Sequence, residues 1–497
     1  MKKDILRSSF FRVLEIVIVT LVSLALTPYL ITHLGDKNYG LWLLIMSTLG
    51  WFDFIDLGFS SAVKREIAFA LEKKNMKRIN VVFSVSVVLF GALGIIATSG
   101  IIAIALFPEM IGVNQDRREM ASIALCLLAL KVLFDFIMNS FHGFFSAYIR
   151  MDIDANLSLL NTLIKSVLVF ILIKDMNIYG AVLATLGADA VTQSLKMYFA
   201  RRLNNGFTFS MSFVTKNEIH QLFSYSKHVI AGGIARTIQK RSDPLIVSHF
   251  LGLKYVALFG VVITLVNQIE SVVKACVGVF SPVLNRLVAR DDQVEGIFKQ
   301  IVSINLFIAI CLFTPLAILS EDFIRLWIGE DYAEYADLTI VLGFAFLSRA
   351  VSEPIVGILM AQSNHKTISL VSLLGALINI ALSIAFVSYW GLYGIAIATV
   401  VSFFLSDVVL HVYLLKKHNN FELKSTLVKV CFMFFNYTIF IALGKFILSN
   451  FSPLNWIGLI IAAFVTFALI VLISWFSLIS QSTRKSTVKI LRENLKR

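Results

Sequence analysis

Cysteine is scarce in this chain, and the four present, Cys126, Cys276, Cys311 and Cys431, each lie inside an apolar run. With no CxxC pair and no histidine at ligand spacing, they exclude a disulfide framework and a zinc module and read as packing residues. No metal site and no cofactor is expected. Charge is scarce too: only 15% of the 497 residues are Asp, Glu, Lys or Arg, against 58% hydrophobic. So little polar surface cannot cover a soluble globule of this length, which excludes a soluble enzyme or binding domain. Long polar connections are also missing. No link between apolar runs exceeds about twenty residues, so no extramembrane domain is expected and the chemistry must lie within or beside a membrane. A cleavable leader is not expected either. The basic start, MKKDILRSSF, is followed by an apolar stretch longer than a signal h-region and by no small-residue cleavage site, so it reads as a retained first helix.

What the chain does have is runs of spanning length. They sit near residues 10–32, 40–62, 81–107, 120–146, 155–173, 178–199, 222–248, 254–282, 297–320, 336–361, 366–388, 391–414, 426–448 and 454–480. Together they predict an all-α integral membrane protein of about fourteen transmembrane helices. A formal net charge of +13 would suit nucleic acid, but no basic stripe with interleaved aromatics occurs on a soluble module, and no nucleic-acid partner is expected. The cations sort by side instead. Lys64, Arg65, Lys73, Lys74, Lys77 and Arg78, then Arg201 and Arg202, Arg286 and Arg290, Lys416 and Lys417, and the tail from Arg484 fall in alternate connections, while the opposite ones are poor in basic residues. The positive-inside rule then puts both termini in the cytoplasm. The connection VKREIAFALEKKNMKRIN (63–80) mixes apolar and basic positions at helical spacing; it reads equally as a helix lying on anionic membrane lipids or as an ordinary positive-inside loop.

A repeat is legible in the letters. Pro28, His33, Gly35, Lys37 and Tyr39 recur as Pro244, His249, Gly252, Lys254 and Tyr255. Further on, SLLNTLIK (158–165) matches SLLGALIN (372–379), and YGAVLAT (179–185) matches YGIAIAT (393–399). The offset stays near 214 to 216 residues. The chain therefore divides into an N-lobe of helices 1–6 (residues 1–205), a C-lobe of helices 7–12 (206–420), and two added helices with a basic tail (421–497). Because six is even, the two pseudo-repeats run parallel, an arrangement in which transporters place their site between the halves.

The intramembrane charges mark that site. The seventh run carries Arg236, Lys240, Arg241 and Asp243, and positions 236, 240 and 243 share one helical face. A charge at mid-membrane depth costs at least about 2.5 kcal/mol, so such residues normally face a polar cavity or a partner. Buried ion pairs, or heads that snorkel to an interface, are the structural alternative. Elsewhere Arg12 pairs by spacing with Glu15, Asp53 with Asp56, Lys131 with Asp135 and His142, Glu270 with Lys274, and Arg349 with Glu353. Each oppositely charged pair, taken alone, has the spacing of a self-neutralising salt bridge; together the groups suggest a polar lumen in both halves. Arg236, Lys240, Arg241, Lys274, Arg349, Lys131 and Arg12 are the expected substrate contacts, and Asp53, Asp56, Glu270 and Asp135 the expected ion-coupling carboxylates.

The stretches LTPYLITHLGDKNYGLWLL (26–44), DLGFSSAVKR (56–65) and FIRLWIG (323–329), with the repeated YGxxxAT, resemble the polysaccharide-transporter branch of the multidrug/oligosaccharidyl-lipid/polysaccharide flippase superfamily. The resemblance runs over nearly the whole chain. It implies two MATE-like lobes around a central cavity and a flippase that moves an undecaprenyl-diphosphate-linked oligosaccharide, an O-antigen or capsule unit, from the cytoplasmic to the periplasmic leaflet of a bacterial inner membrane by alternating access. Ion coupling, and a polysaccharide polymerase with its chain-length regulator as partners, are implied in the same way. Two other readings stay open. One is a cation-coupled drug or metabolite exporter of the same fold, which calls for a more acidic, aromatic lumen. The other is a membrane polymerase or glycosyltransferase, for which the only outer segment rich enough in carboxylates is the one from Glu321 to Asp337.

Overall fold

The computed structural model describes residues 2–55, 58–204, 206–278, 294–362, 364–419, 421–449, 453, 455–479 and 484. All regular structure among them is helical, in two compact units, Met1–Gly260 and Val261–Arg497.

The first unit opens with α1 (Lys2–Leu34) and α2 (Asp36–Trp51). A 3-10 turn (Phe52–Ile55) separates α2 from α3 (Phe59–Glu72), so the single span expected over 40–62 is divided in two. An apolar run with acidic residues at positions 53 and 56 does not betray a break, because hydropathy is blind to backbone direction. In α3 the buried residues Phe59, Ala62, Val63, Ile67 and Ala70 follow helical spacing, so this amphipathic helix turns its apolar stripe into the unit. Asn75 then caps α4 (Met76–Leu106), accepting from the amide of Arg78 at 3.0 Å. The Arg78 guanidinium reaches Glu66 at 2.8 Å and Glu218 at 2.5 Å, tying α3 and α4 to the first turn of α8. The unit continues through α5 (Arg118–Ala147), α6 (Met151–Met176), α7 (Ile178–Leu203) and α8 (Lys216–Phe250), the last capped by the Thr215 hydroxyl. Helix α4 packs on α5, α6 on α7 and α1, and α8 on α2. Helix α9 (Leu253–Gly278) begins in this unit, where Leu253 lies so close to Gly40 that a Cβ there would sit 1.9 Å from its carbonyl oxygen.

The second unit contains the rest of α9, then α10 (Val294–Trp327), a one-turn helix (Glu330–Ala333), α11 (Leu338–Ala361) and α12 (His365–Phe403). A π-helical segment (Phe404–Leu410) leads into α13 (His411–Asn419), and α14 (Lys424–Leu448) and α15 (Trp456–Leu478) follow. Helices α14 and α15, the two without counterparts in the repeat, both pack on α10. Four of the carboxylates between Glu321 and Asp337 meet cations: Arg325 contacts Glu321, Asp322 and Glu330 at 2.8 to 3.0 Å, and Lys445 holds Glu321 and Asp337.

Ten helices are long and apolar enough to cross a membrane, among the described residues; the 55-residue stretch His365–Asn419 counts as one of them. Gly391 breaks that stretch with φ 55° and ψ −132°. The same backbone geometry, φ 52° and ψ −132°, occurs at Asn177 between α6 and α7, one repeat step earlier (177 + 214 = 391). Gly180 and Gly394 repeat the tight packing that follows. A Cβ on the first would lie 2.6 Å from the carbonyl oxygen of Leu172, and on the second 2.4 Å from that of Phe386. The repeat read from letters is thus present in the backbone of each unit.

Candidate functional site

The charged stretch of α8 does not behave as one face. This 35-residue helix is about 52 Å long, ample for a bilayer, yet its charges keep it out of the ten apolar spans. Arg236 and Lys240, one turn apart, are exposed. Asp243, one turn further and on the same stripe by spacing, is buried at 8% exposure, and its Oδ1 has no hydrogen-bond partner. Arg241 turns toward α2. Its carbonyl accepts from the Ser47 hydroxyl at 2.9 Å and the Trp51 indole at 3.0 Å, and its guanidinium fills the space a Cβ on Gly50 would need. This anchorage sits beside Pro244, whose missing amide hydrogen loosens the turn before it. Arg241 therefore fixes α8 on α2, while Arg236 and Lys240 present charge.

A second charged group joins α5, α6 and α7. Lys131 Nζ lies 2.5 Å from Asp135 and 3.1 Å from Asp189. Gln193 donates to Asp135 at 2.8 Å, and Asn161 donates to Asp189 at 2.7 Å and to Thr192 at 2.9 Å. Lys165 stands within electrostatic reach of Asp189. Two lysines and two carboxylates balance. His142, grouped with Lys131 by spacing, instead meets Asp154 at 3.2 Å, with Lys196 at 3.8 Å from the same carboxylate.

The third group is the deepest and lies within the second unit. Glu270 takes Lys274 at 2.6 Å and Arg349 at 3.2 Å; Lys274 also stands 3.9 Å from Glu353. Arg349, its side chain 14% exposed, reaches Asp407 at 3.8 Å and lays its guanidinium over the ring of Phe403 at 4.0 Å. The π-helical turn carries Asp407 into this group with His411 Nδ1 behind it at 3.3 Å, a contact without hydrogen-bond geometry, and neither ring nitrogen of His411 has a hydrogen-bond partner. Such π-turns concentrate at functional sites. Three carboxylates here face two permanent cations. The repeat holds at this level too: Asp135 with Gln193 and Arg349 with Asp407 are the same pair of positions one step apart (135 + 214 = 349, 193 + 214 = 407).

Arg12 lies in α1 and Asp53 in the 3-10 turn, and the side chains of both fall outside the described set, as does Asp56 altogether. Spacing along one helix found Lys131, Asp135, Glu270, Lys274 and Arg349. It missed Asp189, Asp407, Lys165 and Asp154, whose partners lie on other helices. A count of every intramembrane carboxylate, rather than of i,i+4 pairs, would have flagged them.

The fold and these charged groups define a multi-span helical membrane protein with clusters of charged side chains held between its helices. A family model described as polysaccharide biosynthesis protein matches residues 5–288, more than half of the chain, and the chain belongs to that family. It is 24% identical over 401 residues to "Uncharacterized membrane protein EpsK" of Bacillus subtilis (strain 168), covering 78% of each chain. It is 22% identical over 424 residues to "Putative O-antigen transporter" of Shigella flexneri, covering 82% of this chain and 97% of that one. Among solved structures, the lipid II flippase MurJ in an inward closed conformation aligns with TM-score 0.72 at 15% identity, over 96% of this chain and all of that one. An inward-facing multidrug resistance MATE family transporter of the MOP superfamily aligns with TM-score 0.68 at 14% identity, over 83% of this chain and 99% of that one. The resemblance read from the sequence is borne out, and the MATE-like fold with it.

Proposed function

We propose that the protein is a flippase for an undecaprenyl-diphosphate-linked oligosaccharide, moving O-antigen or capsule-type units from the cytoplasmic to the periplasmic leaflet of the plasma membrane. Helices 1–6 (residues 1–205) and 7–12 (206–420) act as the two lobes of an alternating-access cycle, with both termini cytoplasmic. The observation that carries the reading is α8: a membrane-length helix that presents Arg236 and Lys240 one turn apart. A diphosphate brought to low dielectric without partners costs many kcal/mol, and cations on a spanning helix are what offsets that cost. Lys131, Lys274 and Arg349 are further contacts, each held by carboxylates with which a substrate must compete. The family's place in polysaccharide biosynthesis and the fold shared with a lipid II flippase support the same reading.

No bond is made or broken in this account. Of the outer carboxylates that a polymerase would need, Glu321, Asp322, Glu330 and Asp337 are held by Arg325 and Lys445. The extra carboxylate of the Glu270–Arg349–Asp407 group supports ion coupling, with Glu270 and Asp407 as the acids that a coupling cation would compensate. A drug exporter of the same fold is less well served, because α8 offers cations to its cargo. Deletion of the gene and complementation test the function: loss of surface glycan, restored by the wild-type chain, supports it, and unchanged glycan with altered drug sensitivity would overturn it.

A further inference from the structure

A cleft of about 680 Å³ opens within the first unit, and no residue of the charged groups described above lines it. Its floor is apolar: Phe83 and Val87 of α4, and Ile137, Met138 and Phe141 of α5. The α7–α8 connection closes one side with Phe207, Thr208 and Phe209. This connection is built in. Phe207 packs on Phe144 at 4.6 Å and Phe83 at 4.7 Å, the Thr208 amide donates to Asn80 at 3.0 Å, and the Ser210 amide donates to Ser84 at 3.0 Å. At the polar end stand Arg201, exposed on the last turn of α7, and Asn204, which is 8% exposed. Asn204 accepts from Gly206 through Oδ1, but its Nδ2 has no hydrogen-bond partner. A buried amide donor without an acceptor costs about 1 to 3 kcal/mol and marks a place where an oxygen belongs.

We infer that this cleft binds one anionic phospholipid, its phosphodiester held by Arg201 and the Asn204 amide and an acyl chain lying against Phe83, Val87, Met138 and Phe141. The two ends of the cleft call for an amphiphile: a free phosphate leaves the aromatic floor uncovered, a diacylglycerol leaves Arg201 and Nδ2 unmatched, and a zwitterionic phosphatidylcholine sets its own trimethylammonium beside the Arg201 guanidinium. One guanidinium and one amide suit a single phosphate, whereas a diphosphate carrier would leave its second phosphate without a cation. The site is thus separate from the cargo cations of α8.

Native mass spectrometry of the full chain in mild detergent tests this, with dioleoyl phosphatidylglycerol, dioleoyl phosphatidylcholine and inorganic phosphate as probes and a melting curve for each variant. The first phosphatidylglycerol should bind about tenfold tighter than phosphatidylcholine, because both offer the phosphodiester but only the choline headgroup brings a cation against Arg201. Arg201→Gln should remove that preference, and Arg202→Gln, one residue on, should leave it. Val87→Trp, which fills the floor, should weaken phosphatidylglycerol binding as strongly. Should Arg201→Gln not fold, Asn204→Asp keeps the Gly206 contact while setting a carboxylate against the phosphate, and should likewise abolish the preference. Equal losses in Arg201→Gln and Arg202→Gln would mean surface electrostatics only. Indifference to Val87→Trp, or displacement of the lipid by inorganic phosphate, would equally overturn the assignment.

Discussion

Replacing Arg349 with Met removes the central cation of the Glu270–Arg349–Asp407 group while keeping most of its apolar volume. Breaking a buried pair by deleting one partner costs about 3 to 5 kcal/mol, because the other charge is left uncompensated. The structure says where that penalty falls. Glu270 keeps a close cation, Lys274 at 2.6 Å, which it shares with Glu353. Asp407, 11% exposed in its side chain, keeps only the His411 ring at 3.3 Å. The contact of the guanidinium with Phe403 at 4.0 Å is lost as well, adding about 1 to 2 kcal/mol. Denaturation of the purified chain in mixed micelles should therefore show Arg349→Met destabilised by several kcal/mol. Adding Asp407→Asn should recover most of it, and adding Glu270→Gln should recover little. A double-mutant cycle isolates the coupling. If Glu270→Gln rescues better than Asp407→Asn, or if Arg349→Met costs less than about 1 kcal/mol, the assignment of Asp407 as the dependent charge is wrong.

Gly394→Ala and Gly180→Ala should each destabilise the chain, since the new methyl meets backbone rather than a movable side chain, and the two melting shifts should be similar if the repeat is structural. Gly391→Ala forces an L-residue to φ 55° and should cost about 1 to 2 kcal/mol, measured in the same way. In a cysteine-free background, single cysteines at Asn75 and Asn419 should resist a membrane-impermeant thiol reagent in intact cells while one at Asn114 is labelled; labelling at Asn75 would overturn the assignment of cytoplasmic loops.

The sequence exposed those features that repeat along it. The matched YGAVLAT and YGIAIAT stretches predicted two equivalent halves, and the shared backbone break at Asn177 and Gly391 is their structural counterpart. Helix-internal pairs such as Lys131 with Asp135 and Glu270 with Lys274 were legible because i,i+4 neighbours are set by one helix alone. What joins these pairs was not. Asp189 meets Lys131, and Asp407 meets Arg349, across separations of 58 residues, which only the packing of α7 on α5 and of the π-helical turn on α11 brings about. The stripe of positions 236, 240 and 243 was right as geometry on an isolated helix. The buried state of Asp243 beside exposed Arg236 and Lys240 depends on neighbours that no periodicity reports.

The central claim is that α8 offers its cations to an anionic lipid-linked cargo. The direct measurement is surface glycan in cells lacking the native gene and expressing Arg236→Ala at limiting, verified protein level. Losing one charge-assisted phosphate contact worth about 1.5 to 3 kcal/mol should lower export by roughly one to two decades. Arg236→Lys should recover only part of it, since lysine lacks the planar fork that engages two oxygens. Full glycan export by a normally inserted Arg236→Ala chain would contradict the account and make this cation structural.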